Sequence, residues 1–515
     1  MAEASGSSAI VRTRQGQVRG ALVDGVHTFK GIPYAAPPFG ANRLRAPQPA
    51  VPWTGVRDGL EDGHKAPQPG TSEDEAAAGF FAWDRSVPGE DCLNLTVWTR
   101  EPGSAGMPVM IWITGGMFEV GSASWYDGSR FARDGVVCVA INYRVGAEGF
   151  LFLDDTAPNR GLLDQIAAME WVRHNIGAFG GYPDNVTICG ESAGAMGIGT
   201  LLGMPRAEGL FRRAILQSGA AQQVLRAADA RRMGQYLAGK LGVAPSLDAM
   251  AAIPVDRMLA AQIALKDELM AKPDPEHWGM DAVVSALPWQ PVVDGVELPS
   301  TPLERVRAGA GANVDVMVGS NADEWRLFRV ASGDIGQITE RELTGPVVEH
   351  GYKSVAAYGL PVERALAAYR EAYPSASPGD LLAAIQTDWW CRIPGIRLAD
   401  AHTNGRPSRT FMYELAWRSP VAGGIFGACH ALEIPFVFDT LDEGATQMLG
   451  NLLGDDPPQE LARTMHSAWI SFISRGDAGW PAYDLGRRAT MRFDTVSEVV
   501  DDPRAWERSL WEGVR

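Results

Sequence analysis

Residues 186–202 read VTICGESAGAMGIGTLL. The apolar run 186–189 predicts a short buried strand, and the small and apolar residues 193–202 predict the start of a helix. Between them, GESAG (190–194) matches the Gly-x-Ser-x-Gly pattern of a nucleophile elbow, a tight strand-to-helix turn that exposes a reactive serine. Because glycine makes up 58 of the 515 residues, the pattern alone is weak, and an ordinary glycine-rich turn is the alternative. The flanking strand and helix favour the elbow, with Ser192 as the nucleophile and the backbone N–H of Ala193 aimed at a developing oxyanion.

Apolar, β-branched runs of this kind recur along the chain. They cover Val109–Ile113, Val136–Ile141, Ala214–Leu216 and Val314–Val318, and a helical stretch covers Gly161–Ile176. Continuous apolar strands that alternate with helices predict an α/β fold with a mostly parallel central sheet flanked by helices. Ligands bind such sheets at the carboxyl ends of the strands, so we expect the chemistry just after these runs. No linker, repeat or low-complexity tract divides the chain, and a single domain over residues 1–515 is predicted.

A pair of glycines follows the first of these predicted strands, in the sequence Thr114-Gly115-Gly116-Met117-Phe118. A glycine pair at a strand end lets backbone N–H groups turn toward a nucleophile, as loops of the HGGG type do to complete an oxyanion hole. An ordinary strand-to-loop turn is the alternative.

A serine at such an elbow needs an acid and a histidine, which follow it along the chain in that order. Four downstream histidines are candidates, His350, His402, His430 and His466. His466 lies in an apolar helical run typical of a packed side chain, whereas His430 follows small residues that suit a loop facing a pocket, so His430 is favoured. Asp323 and Glu324 both stand a few residues beyond the strand predicted at 314–318, and the residues alone do not choose between them.

Composition narrows the classes of partner. A formal net charge of −16 disfavours nucleic acid and anionic membrane as partners, and no run approaches the roughly 18 apolar residues of a membrane span. The five cysteines show no Cys-x-x-Cys spacing, which predicts free thiols and no zinc site. Met1–Ser8 lacks the basic and apolar regions of a secretion leader. We therefore expect a cytoplasmic protein that acts on a small molecule.

Several further motifs occur in order over nearly the whole chain. They are Phe29–Ala35 (FKGIPYA), Glu90–Trp98 (EDCLNLTVW), Asn142–Arg144 (NYR), Asn159–Gln165 (NRGLLDQ), Gly190–Ala195 (GESAGA) and Gln217–Gly219 (QSG). With these motifs the chain resembles the bacterial type-B carboxylesterases, the family that also contains p-nitrobenzyl esterases and cholinesterases, from about residue 18 to residue 511. The resemblance implies the α/β-hydrolase fold, with large helical insertions around an active-site gorge.

The resemblance also implies a Ser-Glu-His triad. The family's acid is the glutamate of an Asp-Glu pair, here Glu324, and its histidine opens a His-x-x-Glu stretch, here His430 to Phe436. Ser192, Glu324 and His430 are thus the expected triad.

The family's oxyanion amides correspond to Gly116, Met117 and Ala193, and Ser218 resembles a serine that hydrogen-bonds beneath the triad. Two departures from the family pattern stand in the oxyanion loop. Thr114 replaces the usual His or Tyr, and Met117 replaces the usual third Gly or Ala. Both changes leave the backbone N–H groups in place, but the side chain of Met117 is expected to narrow the substrate pocket.

The function that follows is hydrolysis of carboxylic esters with short-to-medium acyl chains, through an acyl-enzyme on Ser192 and with no metal or cofactor. A small-molecule ester is the expected partner, and a monomer is expected, with an oligomer as the alternative. Two alternatives remain. One is a non-catalytic, cholinesterase-like binding module on the same fold, and the other is hydrolysis of amides or carbamates by the same machinery.

Overall fold

The computed structural model describes residues 9–70, 84, 86–104, 106–403, 408–441 and 450–514. Residues 1–8, on which the prediction of no secretion leader depends, lie outside the described residues. The strands are β1 (Ile10–Arg12), β2 (Gln17–Arg19), β3 (Ala21–Val23), β4 (Val26–Pro33), β5 (Val56–Asp58), β6 (Asn94–Thr99), β7 (Met107–Ile113), β8 (Val137–Ile141), β9 (Gly181–Glu191), β10 (Arg213–Gln217), β11 (Leu225–Arg226), β12 (Val292–Val293), β13 (Asp315–Asn321), β14 (Thr410–Leu415), β15 (Ala489–Phe493) and β16 (Glu498–Asp501).

The α-helices lie between and around these strands. They are α1 (Ser129–Arg133), α2 (Gly146–Phe150), α3 (Arg160–Asn175), α4 (Ala193–Leu201), α5 (Ala227–Leu241), α6 (Leu247–Ala251), α7 (Val255–Ala271), α8 (Pro275–Trp278), α9 (Met280–Ser285), α10 (Pro302–Arg307), α11 (Arg326–Ala331), α12 (Glu340–Thr344), α13 (Val347–His350), α14 (Val362–Ala372), α15 (Pro378–Thr387), α16 (Ile393–Thr403), α17 (Ile434–Phe438), α18 (Gly450–Leu453), α19 (Gln459–Arg475) and α20 (Ala505–Leu510). A π-helical turn, Asp388–Arg392, joins α15 to α16.

Within the described residues, eleven strands form one mixed sheet in the order β16-β15-β14-β13-β10-β9-β7-β8-β6-β4-β3. Every neighbouring pair from β15 to β8 is parallel, and the strands at the two ends pair antiparallel. The apolar runs read from the sequence coincide with β7, β8, β9, β10 and β13, except that the runs at β8 and β13 begin one residue before the strand. The prediction of an α/β fold with a mostly parallel central sheet is therefore confirmed.

The central strands are apolar throughout because both faces of the sheet are covered. In β7, Val109, Ile111 and Ile113 pack into one apolar core, while Met110 and Trp112 pack into a second core. All five side chains are fully buried. Since successive side chains of a strand point to opposite faces, the two cores lie on opposite sides of the sheet.

The topology brings the predicted site residues to one edge. Strands β7, β9, β10 and β13 are consecutive neighbours in the sheet and run parallel, so their carboxyl ends meet. Gly116 and Met117 follow β7, Ser192 follows β9, Ser218 follows β10, and Glu324 follows β13. His430 lies in the loop after the next strand, β14.

Within the described part of the chain, no helix has the length and apolar character needed to cross a bilayer. All five cysteines are free and buried. The single-domain organisation over residues 1–515 stays a prediction.

Candidate active site

Ser192 occupies a strained turn between β9 and α4. Its φ and ψ are 56° and −125°, outside the regions that an L-residue normally adopts. The turn is held by the Ser192 N–H, which donates to the carbonyl of Gln217 at 2.9 Å. It also requires glycine on both sides: a Cβ on Gly194 would lie 2.2 Å from the carbonyl oxygen of Ile113, and one on Gly190 would lie 2.8 Å from the backbone of Gly194. The glycines of the GESAG motif are therefore needed for space.

The glycine-pair loop after β7 lies directly against this turn. A Cβ on Gly115 would lie 3.1 Å from the Cβ of Ser192. Gly116, Met117 and Phe118 all have positive φ, at 113°, 58° and 58°. Backbone hydrogen bonds fix the loop. The Gly116 carbonyl accepts hydrogen bonds from two N–H groups of the same loop, and the Phe118 carbonyl accepts one from the N–H of Gly146 at 2.6 Å.

These conformations leave N–H groups beside the serine unused. No acceptor among the described residues takes a hydrogen bond from the N–H of Gly116, Met117 or Ala193. Ala193 is the first residue of α4, where backbone N–H groups have no partner within the helix. Unsatisfied N–H groups at a helix start and a turn form a favourable place for negative charge.

Glu324 and His430 form a close, buried pair. The Nδ1 of His430 lies 2.6 Å from Oε2 of Glu324, and the side chain of Glu324 is fully buried. Its second oxygen, Oε1, accepts a hydrogen bond from the N–H of Asn321 at 2.7 Å, and the N–H of His430 donates to the Glu324 carbonyl at 3.1 Å. Both carboxylate oxygens are thus fixed, and the imidazole is held in one orientation.

The other candidates for the catalytic acid and histidine have other hydrogen-bond partners. The carboxylate of Asp323 accepts hydrogen bonds from the N–H of Ala428 and from Arg418, both at 2.9 Å, and braces the loop that carries the histidine. His402 bonds a threonine hydroxyl, and the Nδ1 of His466 bonds a backbone carbonyl. Of the two adjacent acids, Glu324 is the one whose carboxylate contacts the imidazole of His430.

The second ring nitrogen of His430 faces a carboxylate that the sequence analysis did not consider. Nε2 lies 3.0 Å from Oε1 of Glu191. Ser192 and His430 line the same cavity, but within the described residues Ser192 Oγ makes no hydrogen bond to His430. In enzymes without substrate this bond is frequently long or misaligned, and a rotation of the serine side chain about its Cα–Cβ bond changes the position of Oγ.

Charge around His430 changes its basicity. Burial lowers the pKa of His430, but Glu191 and then Glu324 raise it, and the net pKa is well above the usual 6.5. Burial raises the pKa of Glu191, an effect that His430 partly offsets. The carboxylates on both sides of the ring therefore favour the imidazolium form.

A third buried glutamate lies behind the pair. Glu433 accepts hydrogen bonds from Asn321 at 2.6 Å and from Gln217 at 3.2 Å. Burial, together with the charges of Glu191 and Glu324, raises its pKa to about 8. It is the glutamate of the His-x-x-Glu stretch, which the sequence analysis used only to find the histidine. Its hydrogen bonds connect the end of β10 and the end of β13 to the histidine loop.

Ser218 follows β10 with φ 53°. Its N–H donates to the carbonyl of Gly319 at 2.9 Å, and its own carbonyl accepts a hydrogen bond from Cys391 at 3.3 Å. Its Oγ is buried and has no hydrogen-bond partner among the described residues. The side-chain hydrogen bond expected of Ser218 stays a prediction.

An apolar cavity of about 170 Å³ opens onto Ser192 and His430. Two larger cavities, of about 860 and 410 Å³, are lined by neither residue. Trp325 and Trp390 stack in its wall with ring centroids 4.7 Å apart. Phe328 lies 5.2 Å from the His430 ring. The other lining side chains are Met117, Met196, Lys266, Met270, Val284, Ser285, Ala286, Leu287, Arg329, Tyr352 and Cys391.

Sequence reasoning missed the two tryptophans of this wall. Trp325 directly follows Glu324, and this adjacency to the predicted acid was the one available signal. Trp390 reaches the wall from the π-helical turn, a feature that frequently marks functional sites.

Comparisons with known proteins agree with this arrangement. Residues 7–505 match the model of the carboxylesterase family. The para-nitrobenzyl esterase of Bacillus subtilis is 35% identical to the chain, with 97% of each protein covered. The phenmedipham hydrolase of Pseudarthrobacter oxydans is 32% identical, over 95% of this chain and 94% of that protein. A solved carboxylesterase structure from Geobacillus stearothermophilus superposes with a TM-score of 0.81 at 35% identity, covering 98% of this chain and 99% of that one. The chain therefore belongs to the carboxylesterase family and is a carboxylic ester hydrolase of the α/β-hydrolase fold.

Proposed function

We propose that Ser192, His430 and Glu324 are the catalytic triad of this esterase, with the N–H groups of Gly116, Met117 and Ala193 as its oxyanion hole. The observation that carries the proposal is the pair of Glu324 and His430, whose Oε2 and Nδ1 atoms lie 2.6 Å apart, because His430 lines the same cavity as the serine of the strained turn. A nucleophile and a base in one cavity, with an orienting acid buried behind the base, are the parts that acyl transfer requires.

The reaction has two halves. Ser192 Oγ attacks the ester carbonyl while His430 Nε2 takes its proton, and the negative charge that develops on the carbonyl oxygen is bound by the three N–H groups. Collapse of the tetrahedral intermediate breaks the bond to the alcohol, which leaves with the proton from His430. A water molecule then attacks the acyl-enzyme, gives its proton to His430, and the carboxylic acid departs as Ser192 recovers its proton.

The surrounding carboxylates take part through charge. Glu324 fixes the tautomer with Nδ1–H and stabilises the imidazolium. Glu191, 3.0 Å from Nε2, adds to that stabilisation. For the first proton transfer, Nε2 must exchange its contact with Glu191 for one with Ser192 Oγ.

The cavity favours slim esters with an aromatic group. At about 170 Å³ it is smaller than the roughly 300–1,000 Å³ of typical ligand pockets, which supports short-to-medium acyl chains. The stacked Trp325 and Trp390 offer flat apolar surface to an aryl or benzyl alcohol. The Bacillus subtilis relative is named for a para-nitrobenzyl ester, which agrees with this preference.

We also propose that the enzyme works in the cytoplasm as a monomer. Five free, buried thiols suit a reducing compartment. The negative net charge of −16 disfavours attachment to anionic membranes.

The test combines kinetics with covalent labelling. Ser192→Ala should lower kcat for p-nitrophenyl butyrate by about 10⁴-fold or more, since the nucleophile is lost while the small side chain fits the turn. A fluorophosphonate should label the parent at Ser192, as located by peptide mass spectrometry. A label on Ser285, the other serine of the cavity wall, or activity of the alanine variant within tenfold of the parent would contradict the proposal.

A further inference from the structure

A cysteine lies beside the proposed acid and base. One ligand atom each from Cys391, His430 and Glu324 lies within 4.8 Å of the other two. All three residues are buried, with 2%, 8% and 0% of their surfaces exposed. Within the described residues, this is the one group of three or more His, Cys, Asp or Glu side chains close enough to share a cation. The proposed hydrolytic steps use no thiol, so Cys391 has no role in them.

The fold holds the thiol in place. Cys391 belongs to the π-helical turn Asp388–Arg392 and lines the cavity. Its S–H donates to the carbonyl of Ser218 at 3.3 Å. Burial raises the pKa of the Cys391 thiol well above its usual range, so the unliganded enzyme carries a neutral thiol that is a poor nucleophile.

A thiolate, an imidazole and a carboxylate are the donors that zinc and cadmium prefer. In a tetrahedral zinc site, with Zn–S of about 2.3 Å and Zn–N of about 2.0 Å, the donor atoms lie about 3.5 Å from one another. The donor atoms lie at most 4.8 Å apart, so no pair has to approach by more than about 1.3 Å. Nδ1 of His430 and Oε2 of Glu324, which are 2.6 Å apart, have to separate by roughly 1 Å to admit the metal. The surroundings are negative, because Glu191 stands 3.0 Å from the imidazole, and negative charge favours a divalent cation.

We propose that Cys391, His430 and Glu324 form a binding site for a thiophilic divalent cation, Zn²⁺ or Cd²⁺, and that its occupation inhibits ester hydrolysis. Binding displaces the thiol proton of Cys391 and one proton of the His430 imidazolium and releases both to solvent, with no change of oxidation state. The metal occupies the imidazole and the carboxylate, so His430 no longer accepts a proton from Ser192. The inhibition rests on the proposed triad, whereas the binding does not.

The first experiment measures inhibition. Enzyme freed of metal with a chelator is titrated with Zn²⁺, and the hydrolysis rate of each variant is divided by its own metal-free rate. Cys391→Ala and the isosteric Cys391→Ser should raise the inhibitory Zn²⁺ concentration by at least about 100-fold, since loss of an outer-shell partner alone costs 10–100-fold in affinity. Cys429→Ala, which removes the buried thiol next to His430 in sequence, is the matched control and should leave the inhibitory concentration unchanged. Equal inhibition of the Cys391 variants and the parent would overturn the inference.

The second experiment separates binding from catalysis. The ultraviolet sulfur-to-cadmium charge-transfer band should appear when Cd²⁺ is added to Ser192→Ala, which has no nucleophile. It should be lost when Cys391→Ser is added to that background, while melting temperatures establish that both variants are folded. If the parent proves inactive toward esters but the band depends on Cys391, the binding site stands and the proposed function fails. A band that is absent from Ser192→Ala, or that persists without Cys391, overturns the inference.

Discussion

Replacing Met117 by glycine should widen the substrate range of this esterase. The side chain lines the cavity of about 170 Å³ next to Ser192. Its removal takes away four heavy atoms, which at about 30 Å³ for each water-sized group enlarges the cavity by roughly 100 Å³. Space for a few methyl groups next to the ester bond is typically worth about 1–3 kcal/mol in discrimination between substrates. We therefore expect kcat/KM for branched esters to rise about 5- to 150-fold relative to slim ones.

The backbone should tolerate this change. Met117 has a φ of 58°, a conformation that glycine adopts without strain. The hydrogen bonds that hold the loop come from backbone groups of Gly116 and Phe118, not from the methionine side chain. The N–H proposed for the oxyanion hole is also retained. Turnover of p-nitrophenyl butyrate should therefore stay close to that of the parent.

The assay compares kcat/KM for p-nitrophenyl pivalate, which is branched at the acyl carbon, with that for p-nitrophenyl butyrate. Met270→Gly is the control, because Met270 lines the same cavity but is 37% exposed. Its effect on the ratio should be smaller. An unchanged pivalate-to-butyrate ratio in Met117→Gly would show that the methionine side chain does not limit substrate size.

Three further predictions concern residues around the triad. Glu324→Gln should lower kcat by about 10⁴-fold, and Asp323→Asn should lower it much less because Asp323 only braces the loop; steady-state kinetics showing the reverse order would refute the acid assignment. His430 must be neutral to accept a proton, and Glu191 raises its pKa. The rising limb of the pH–rate profile should therefore lie above pH 6.5 and move to lower pH in Glu191→Gln. A limb that stays in place in this variant would contradict the role given to Glu191. Gly194→Ala should lower the melting temperature or prevent folding, because its Cβ would meet a carbonyl oxygen at 2.2 Å, and a variant that melts with the parent would show that the turn has room.

The parts of the structure that follow from local sequence were predictable. The central strands are covered on both faces, so they appear as unbroken apolar runs, and the elbow carries its own glycines. The catalytic acid was harder to predict, because Asp323 and Glu324 follow the same strand. Spacing cannot tell which side chain turns toward His430, and the family resemblance was needed to choose.

The walls of the cavity were not predictable, because they come from segments far apart in the chain. Trp390 reaches the cavity only through the π-helical turn, which has no sequence signature of its own. The contact between Glu191 and His430 depends on how each side chain is rotated, which no motif encodes. Sequence motifs therefore predict which groups react. The residues that surround those groups depend on how distant segments pack in the tertiary structure, and motifs do not predict this.

Left-handed backbone conformations at the site have a consequence for how this enzyme can evolve. Five non-glycine residues of the site loops have positive φ, Met117, Phe118, Ser192, Ser218 and Ala431. At about 1–2 kcal/mol each, they oppose folding by an amount comparable to the roughly 5–15 kcal/mol net stability of a typical protein. Selection for heat tolerance should therefore act first at remote left-handed positions such as Asp24, whose side chain is 80% exposed and where a change to glycine relieves strain and leaves the reaction untouched.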